Sequence, residues 1–137
     1  EEIMLFFISG IFWQQGMFPY IGHDSEIGEV VMIDQAQIEA VFTGMIGKGI
    51  IDGRSDGFLH DVYGGSELTD FEVTETHLQF TKRYLRRSDE ILYDFEKSED
   101  GIWIGRWHGK RVGEGNAKCI LTEIPATFFT RQFPKKK

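Results

Sequence analysis

Cysteine, proline, positive charge and long apolar runs are all scarce in this chain, and each scarcity excludes something. A single cysteine, Cys119, leaves no internal disulfide to staple the fold and fits a reducing, cytoplasmic setting. In the alternating run NAKCILTEI it reads as a small buried hydrophobe rather than a nucleophile, since no partner constellation surrounds it. Lys and Arg number 15 against 22 Asp and Glu, a net charge of −7. That argues against nucleic acid as a partner, because phosphate recognition needs a basic footprint. The terminal Lys135, Lys136 and Lys137 read as a solvated end. The longest apolar stretch, IMLFFISGIFW, is about eleven residues, far short of a membrane span. It follows two glutamates and precedes no small-residue cleavage site, so it reads as a strand and not as a leader.

Aromatic residues and glycine are plentiful. Twelve Phe, four Tyr, three Trp and sixteen Gly stand against three Pro and little helix-forming Ala or Leu, which favours β over α structure. A length of 137 residues fits one domain, residues 1–137, able to bury roughly two thirds of its unfolded surface without staples.

The organising stretch is 76–109, where three pieces, 76–85, 90–97 and 102–109, carry apolar or aromatic residues at every second position. Short charged connections separate them. That is the period of a pleated strand with one buried face, and it predicts an antiparallel meander. Ahead of it, strands are expected at 3–14, where Gly10 marks a bulge or bend, and at 29–34 and 37–46. A helix over 34–45 is the competing reading of the last of these. Further strands are expected at 48–52, 58–63 and 67–74, with tight turns at Asp52-Gly53, Asp56-Gly57 and Gly64-Gly65. After the meander, strands are expected at 116–124 and 126–133. About nine or ten strands with short links make an all-β fold. We expect an antiparallel up-and-down β-barrel of about eight to ten strands, closed so that no edge is left bare.

Parity sorts the side chains of the meander. Leu78, Phe80, Lys82 and Tyr84 share one face, as do Ile91, Tyr93 and Phe95, and these should point inward. In the third strand both faces have apolar members; the face with Trp103, Gly105 and Trp107 is taken as the interior. Lys82 then lies among aromatic rings, where its ammonium either meets a carboxylate or other anionic head of a small ligand or snorkels to water at a barrel end. Tyr84 and Tyr93 would donate hydrogen bonds to the ligand. Trp103 and Trp107 are either stacking walls or the plug of a small barrel.

Reaction signatures are missing. His23, His60, His77 and His108 do not cluster, and His23 with Asp24 and Glu26 matches no metal spacing, so no metal and no cofactor is expected. Asp61 is available as an acid or base without a visible partner. No serine sits in a nucleophile elbow, and the glycines at 44–57 match hairpin turns rather than a phosphate loop.

Gly10-Ile11-Phe12-Trp13 on an early strand, the strand count, and the pair in Trp103-Ile104-Gly105-Arg106-Trp107 together resemble the calycin group: lipocalins, fatty-acid-binding proteins and avidin-like proteins. Lipocalins place Trp two residues after the early Gly; here Phe12 holds that place and Trp13 follows. Arg131 is the candidate for their late arginine. The resemblance implies a barrel that holds one small apolar or amphipathic molecule. The expected function is therefore non-enzymatic ligand binding, with Phe80, Tyr84, Tyr93, Trp103 and Trp107 as walls and Lys82 as anchor. Its rivals are a packed interaction module without a cavity, and a small barrel enzyme using an acid–base pair such as Asp61 and His108.

Overall fold

The computed structural model describes residues 4–14, 21–24, 29–32 and 40–125. Ten strands run through them: β1 (Leu5–Gln14), β2 (Ile21–Asp24), β3 (Glu29–Met32), β4 (Ala40–Ile51), β5 (Ser55–Asp61), β6 (Gly64–Val73), β7 (His77–Tyr84), β8 (Glu90–Lys97), β9 (Trp103–Gly109) and β10 (Gly113–Ile124). Eight of them close an antiparallel barrel in the order β1-β10-β9-β8-β7-β6-β5-β4, while β2 and β3 pair with each other. From β4 onward each strand lies beside its predecessor, and β1 seals the sheet between β4 and β10. Closure gives every barrel strand two hydrogen-bonding neighbours and leaves no open edge. Among the described residues there is no helix, and so none long and apolar enough to cross a membrane.

The three meander strands fall where two-residue alternation puts them. Leu78, Phe80, Lys82 and Tyr84 are buried, as are Ile91, Tyr93 and Phe95. On β9 the tryptophan face is inside and Ile104 is half exposed. Two large indoles fit because their cross-strand partners on β10 are small: Trp103 faces Cys119 and Trp107 faces Gly115. A Cβ on Gly115 would lie 2.5 Å from the Trp107 ring. Gly105, between the two indoles, brings its backbone so near β8 that a Cβ would lie 1.9 Å from the Asp94 carbonyl oxygen.

Elsewhere the chain departs from expectation. Residues 48–52 do not form a strand of their own; β4 continues as far as Ile51, with its register to β5 shifting between Ile46 and Ile51. Asp52-Gly53 does make the turn, both residues at positive φ. Asp56-Gly57 does not, because it lies inside β5. Its aspartate accepts the Gly49 N–H at 2.7 Å and the Phe71 N–H at 2.9 Å, filling ladder positions that irregularities in β4 and β6 vacate. The turn expected at Gly64-Gly65 sits two residues earlier, at Val62 and Tyr63, and the glycines open β6. The segment from Ala40 is strand, not helix; the helix alternative before it falls outside the described residues, as do the strand expected at 126–133 and Arg131.

One barrel end carries the turns at 62–63, 85–89 and 110–112, together with both ends of the connection from β1 to β4. The other end carries the turns at 52–54, 74–76 and 98–102. Between them the interior is filled with rings: Phe80 stacks on Tyr93 at 5.1 Å, Tyr93 on Phe95 at 6.0 Å, and Phe42 meets Tyr93 edge-on at 6.3 Å. The middle of the barrel is a packed core.

Candidate functional site

The first of these ends holds the polar group of the interior. Alternation along β5 turns Leu59 inward and therefore turns Asp61, the last residue of the strand, inward as well. Its Oδ1 accepts the N–H of Tyr63 at 2.8 Å, an Asx-type bond that starts the turn. Its Oδ2 accepts two further bonds, from the Lys82 ammonium at 3.1 Å and from the Tyr84 hydroxyl at 2.8 Å. Lys82 also donates to the Tyr84 oxygen at 2.9 Å, closing a triangle.

Lys82 and Asp61 stand on β7 and β5, with β6 between them. Lys82 itself pairs with Leu68 on β6, and contact across that strand is possible because the next inward β6 residues toward Asp61, Ser66 and Gly64, are small. Gly64 pairs with Asp61 and Ser66 with Tyr84, while the Ser66 hydroxyl folds back onto the Leu59 carbonyl at 3.3 Å. Both ionic side chains are wholly buried. The ammonium also lies 4.5 Å from the Tyr84 ring centre, 4.6 Å from that of Phe12 and 5.2 Å from that of Tyr93, so ring faces replace part of its lost hydration.

Burial pushes the Lys82 ammonium below its ordinary range, and the neighbouring carboxylate of Asp61 works against that shift. Burial first, and the bond to Asp61 second, hold the Tyr84 phenol well above its ordinary value. Burial does the same to Tyr93 and to the Cys119 thiol. At neutral pH both phenols are therefore protonated and Cys119 is an inert thiol.

Beside the triangle is a partly open cavity of about 150 Å³. Phe12, Tyr63, Tyr93 and Trp107 supply its rings, Lys82 and Tyr84 its polar wall, and Gln14 and Arg87 stand at its edge. The Trp107 indole is fixed by its N–H, which donates to the Trp13 carbonyl at 3.1 Å, and by edge-on contact with Phe12 at 6.1 Å. Arg87 is half exposed and lies 3.9 Å from Asp89.

Four of the six residues expected at a binding site, Lys82, Tyr84, Tyr93 and Trp107, thus meet at one cavity. Phe80 is the cross-strand partner of Tyr93 and stacks on its ring, but does not line the cavity. Trp103 is at the opposite barrel end, near Phe6 and Val73, with the Lys97 ammonium 5.6 Å from its ring. It cannot share a site with Trp107, because two positions on one strand move it a full layer along the barrel axis at each step. Asp61, which has no visible partner in sequence, is the residue at the centre of the polar group. Leu59-x-Asp61-x-Tyr63 carried the signal: the same alternation that buries Lys82 places an acid on the inner face of β5. His108, by contrast, is on the exposed face of β9, so Asp61 and His108 do not converge.

Among the described residues no group of His, Cys, Asp or Glu is placed to hold a metal ion. His23 and Asp24 fall in β2, and Glu26 lies outside the described residues. His77 pairs with Asp94 at 2.7 Å on the outer surface. Among the described residues, too, every buried side-chain polar atom has a hydrogen-bonding partner. Comparison of the chain with protein-family models, with curated proteins and with solved structures returns no match.

Proposed function

We propose that this protein is a non-enzymatic, calycin-like barrel that holds one small apolar or amphipathic molecule at the Lys82 end. The observation that carries this reading is the cavity itself: aromatic rings on its sides, and a fully buried ion pair and phenol at its wall. Concave, mostly apolar sites with a few convergent polar groups are the usual form of a small-molecule site. The size limits the occupant. A cavity of about 150 Å³ is the size that takes benzene, so the enclosed part of the ligand is one ring or a short chain. The buried, unpaired Cys119 supports a reducing, cytoplasmic setting.

Trp107 reports on occupancy. Titration with single-ring and short-chain compounds should shift or quench tryptophan emission saturably, and Trp107→Phe should abolish that signal. No response from any compound would remove the ligand and favour the second reading, a packed interaction module. That reading has its own support in the rings that fill the barrel's middle.

A further inference from the structure

We infer that the cavity selects a neutral, single-ring ligand bearing one hydroxyl or amide, and rejects carboxylates and ammonium ions of the same size. The inference rests on the ligand-binding reading above and names the chemistry of that ligand. A buried lysine in an aromatic cavity invites the opposite conclusion, an anionic head, and charge accounting at the site overturns it.

The positive charge of Lys82 is already answered. Asp61 Oδ2 stands 3.1 Å from the ammonium, both side chains are wholly buried, and the phenol of Tyr84 bonds to both. The group as a whole is neutral. A ligand carboxylate placed against Lys82 would also be placed against Asp61, in a region where water cannot screen the repulsion. A ligand ammonium would meet Lys82 with no acid to spare, because Asp61 already accepts from Tyr63, Lys82 and Tyr84. Arg87 is the remaining charge at the cavity, but it is half exposed at the edge and shares its field with Asp89 at 3.9 Å. Solvent screens it.

What the triangle leaves over for a ligand is an acceptor. The ammonium donates to Asp61 and to Tyr84, has no exposed surface and otherwise meets the ring faces of Phe12, Tyr84 and Tyr93, so it has no donor to offer a ligand. The Tyr84 oxygen donates once and accepts once, which leaves a second lone pair. A hydroxyl or primary amide can donate to it without bringing a charge. A site with fixed polar groups discriminates strongly against an analogue that leaves them unpaired or meets them with the wrong charge.

The test is calorimetric titration of the full chain at pH 7 with benzyl alcohol, benzamide, toluene, benzoate, benzylamine and laurate. Benzyl alcohol or benzamide should bind tightest, about tenfold or more ahead of benzoate and benzylamine. Asp61→Asn removes the compensating charge and should reverse the order, bringing benzoate ahead of benzyl alcohol. If benzoate, laurate or toluene binds tightest to the wild-type protein, the selectivity is overturned while the binding site stands. If no compound binds, both the selectivity and the site are overturned. The wild-type series decides on its own should Asp61→Asn fail to fold.

Discussion

Lys82→Met removes one charge of a wholly buried pair and little volume, so its cost measures the electrostatics of the barrel end. Removing one partner from a buried pair commonly costs about 3–5 kcal/mol, because the other charge is stranded away from water. Here Asp61 keeps two bonds, from the Tyr63 N–H and the Tyr84 hydroxyl, both at 2.8 Å. Those bonds stabilise the carboxylate in place, so the expected loss is toward the lower end, about 3 kcal/mol. Asp61→Leu should cost at least as much, since it strands the ammonium with Tyr84 and the ring faces alone. Combining Lys82→Met with Asp61→Leu removes both charges and should return stability to within about 1 kcal/mol of wild type. Urea unfolding followed by tryptophan fluorescence gives all four corners of the cycle. Should Lys82→Met lie within about 0.5 kcal/mol of wild type, or should the two losses simply add, the buried pair does not exist in solution.

Three further outcomes follow from the same coordinates. Gly105→Ala should cost at least about 2 kcal/mol, read as a lowered thermal midpoint, because the new methyl would lie 1.9 Å from the Asp94 carbonyl oxygen; an unchanged midpoint would mean that β8 and β9 are not so close. Asp56→Ala should cost about 2–4 kcal/mol by leaving the Gly49 and Phe71 N–H groups unpaired, and wild-type-like urea unfolding would discount that role. Tyr84 and Tyr93 are both held above the ordinary phenol value in the folded state, so above about pH 10 the unfolded chain binds fewer protons and stability falls as pH rises. Lys82, shifted downward, adds a smaller opposite slope just below its usual range. Urea midpoints from pH 8 to 11.5 should hold to about 10 and then drop, with a shallower drop in Tyr84→Phe; a flat profile would refute the buried phenols.

Alternation alone placed Lys82, Tyr84 and Tyr93 inside, because a side-chain period of two is a purely local property of extended backbone. The tryptophan face of β9 was legible for the same reason. The turn at Val62-Tyr63 was not. Gly64-Gly65 is the stronger local signal, but the Asp61 carboxylate captures the Tyr63 N–H and starts the turn earlier. Asp56-Gly57 failed as a turn for a non-local reason, since its carboxylate serves backbone groups 7 and 15 residues away. Distance along the barrel axis was equally invisible. Periodicity gives the face a residue occupies but not what it meets there. Trp103 and Phe80 share the inner face with Trp107, yet Trp103 lies at the other barrel end and Phe80 stacks on Tyr93 without lining the cavity.

Height is also what makes the Lys82 end distinctive. A barrel of eight strands has just enough interior for side chains to fill it, and the middle layers here are filled. Only at an end can a polar group be enclosed by rings and still adjoin open volume. Stability gives the chain no reason to bury an ion pair there, since apolar replacements of similar size usually hold a fold as well or better. The arrangement is nonetheless a costly one to assemble. It needs Asp61 as the final residue of β5, an inward lysine on β7, and Gly64 and Ser66 on β6 to let them meet. Packing alone does not account for a neutral polar wall against an aromatic cavity. Such a wall is the arrangement that the proposed ligand, with one polar group and one ring, would require.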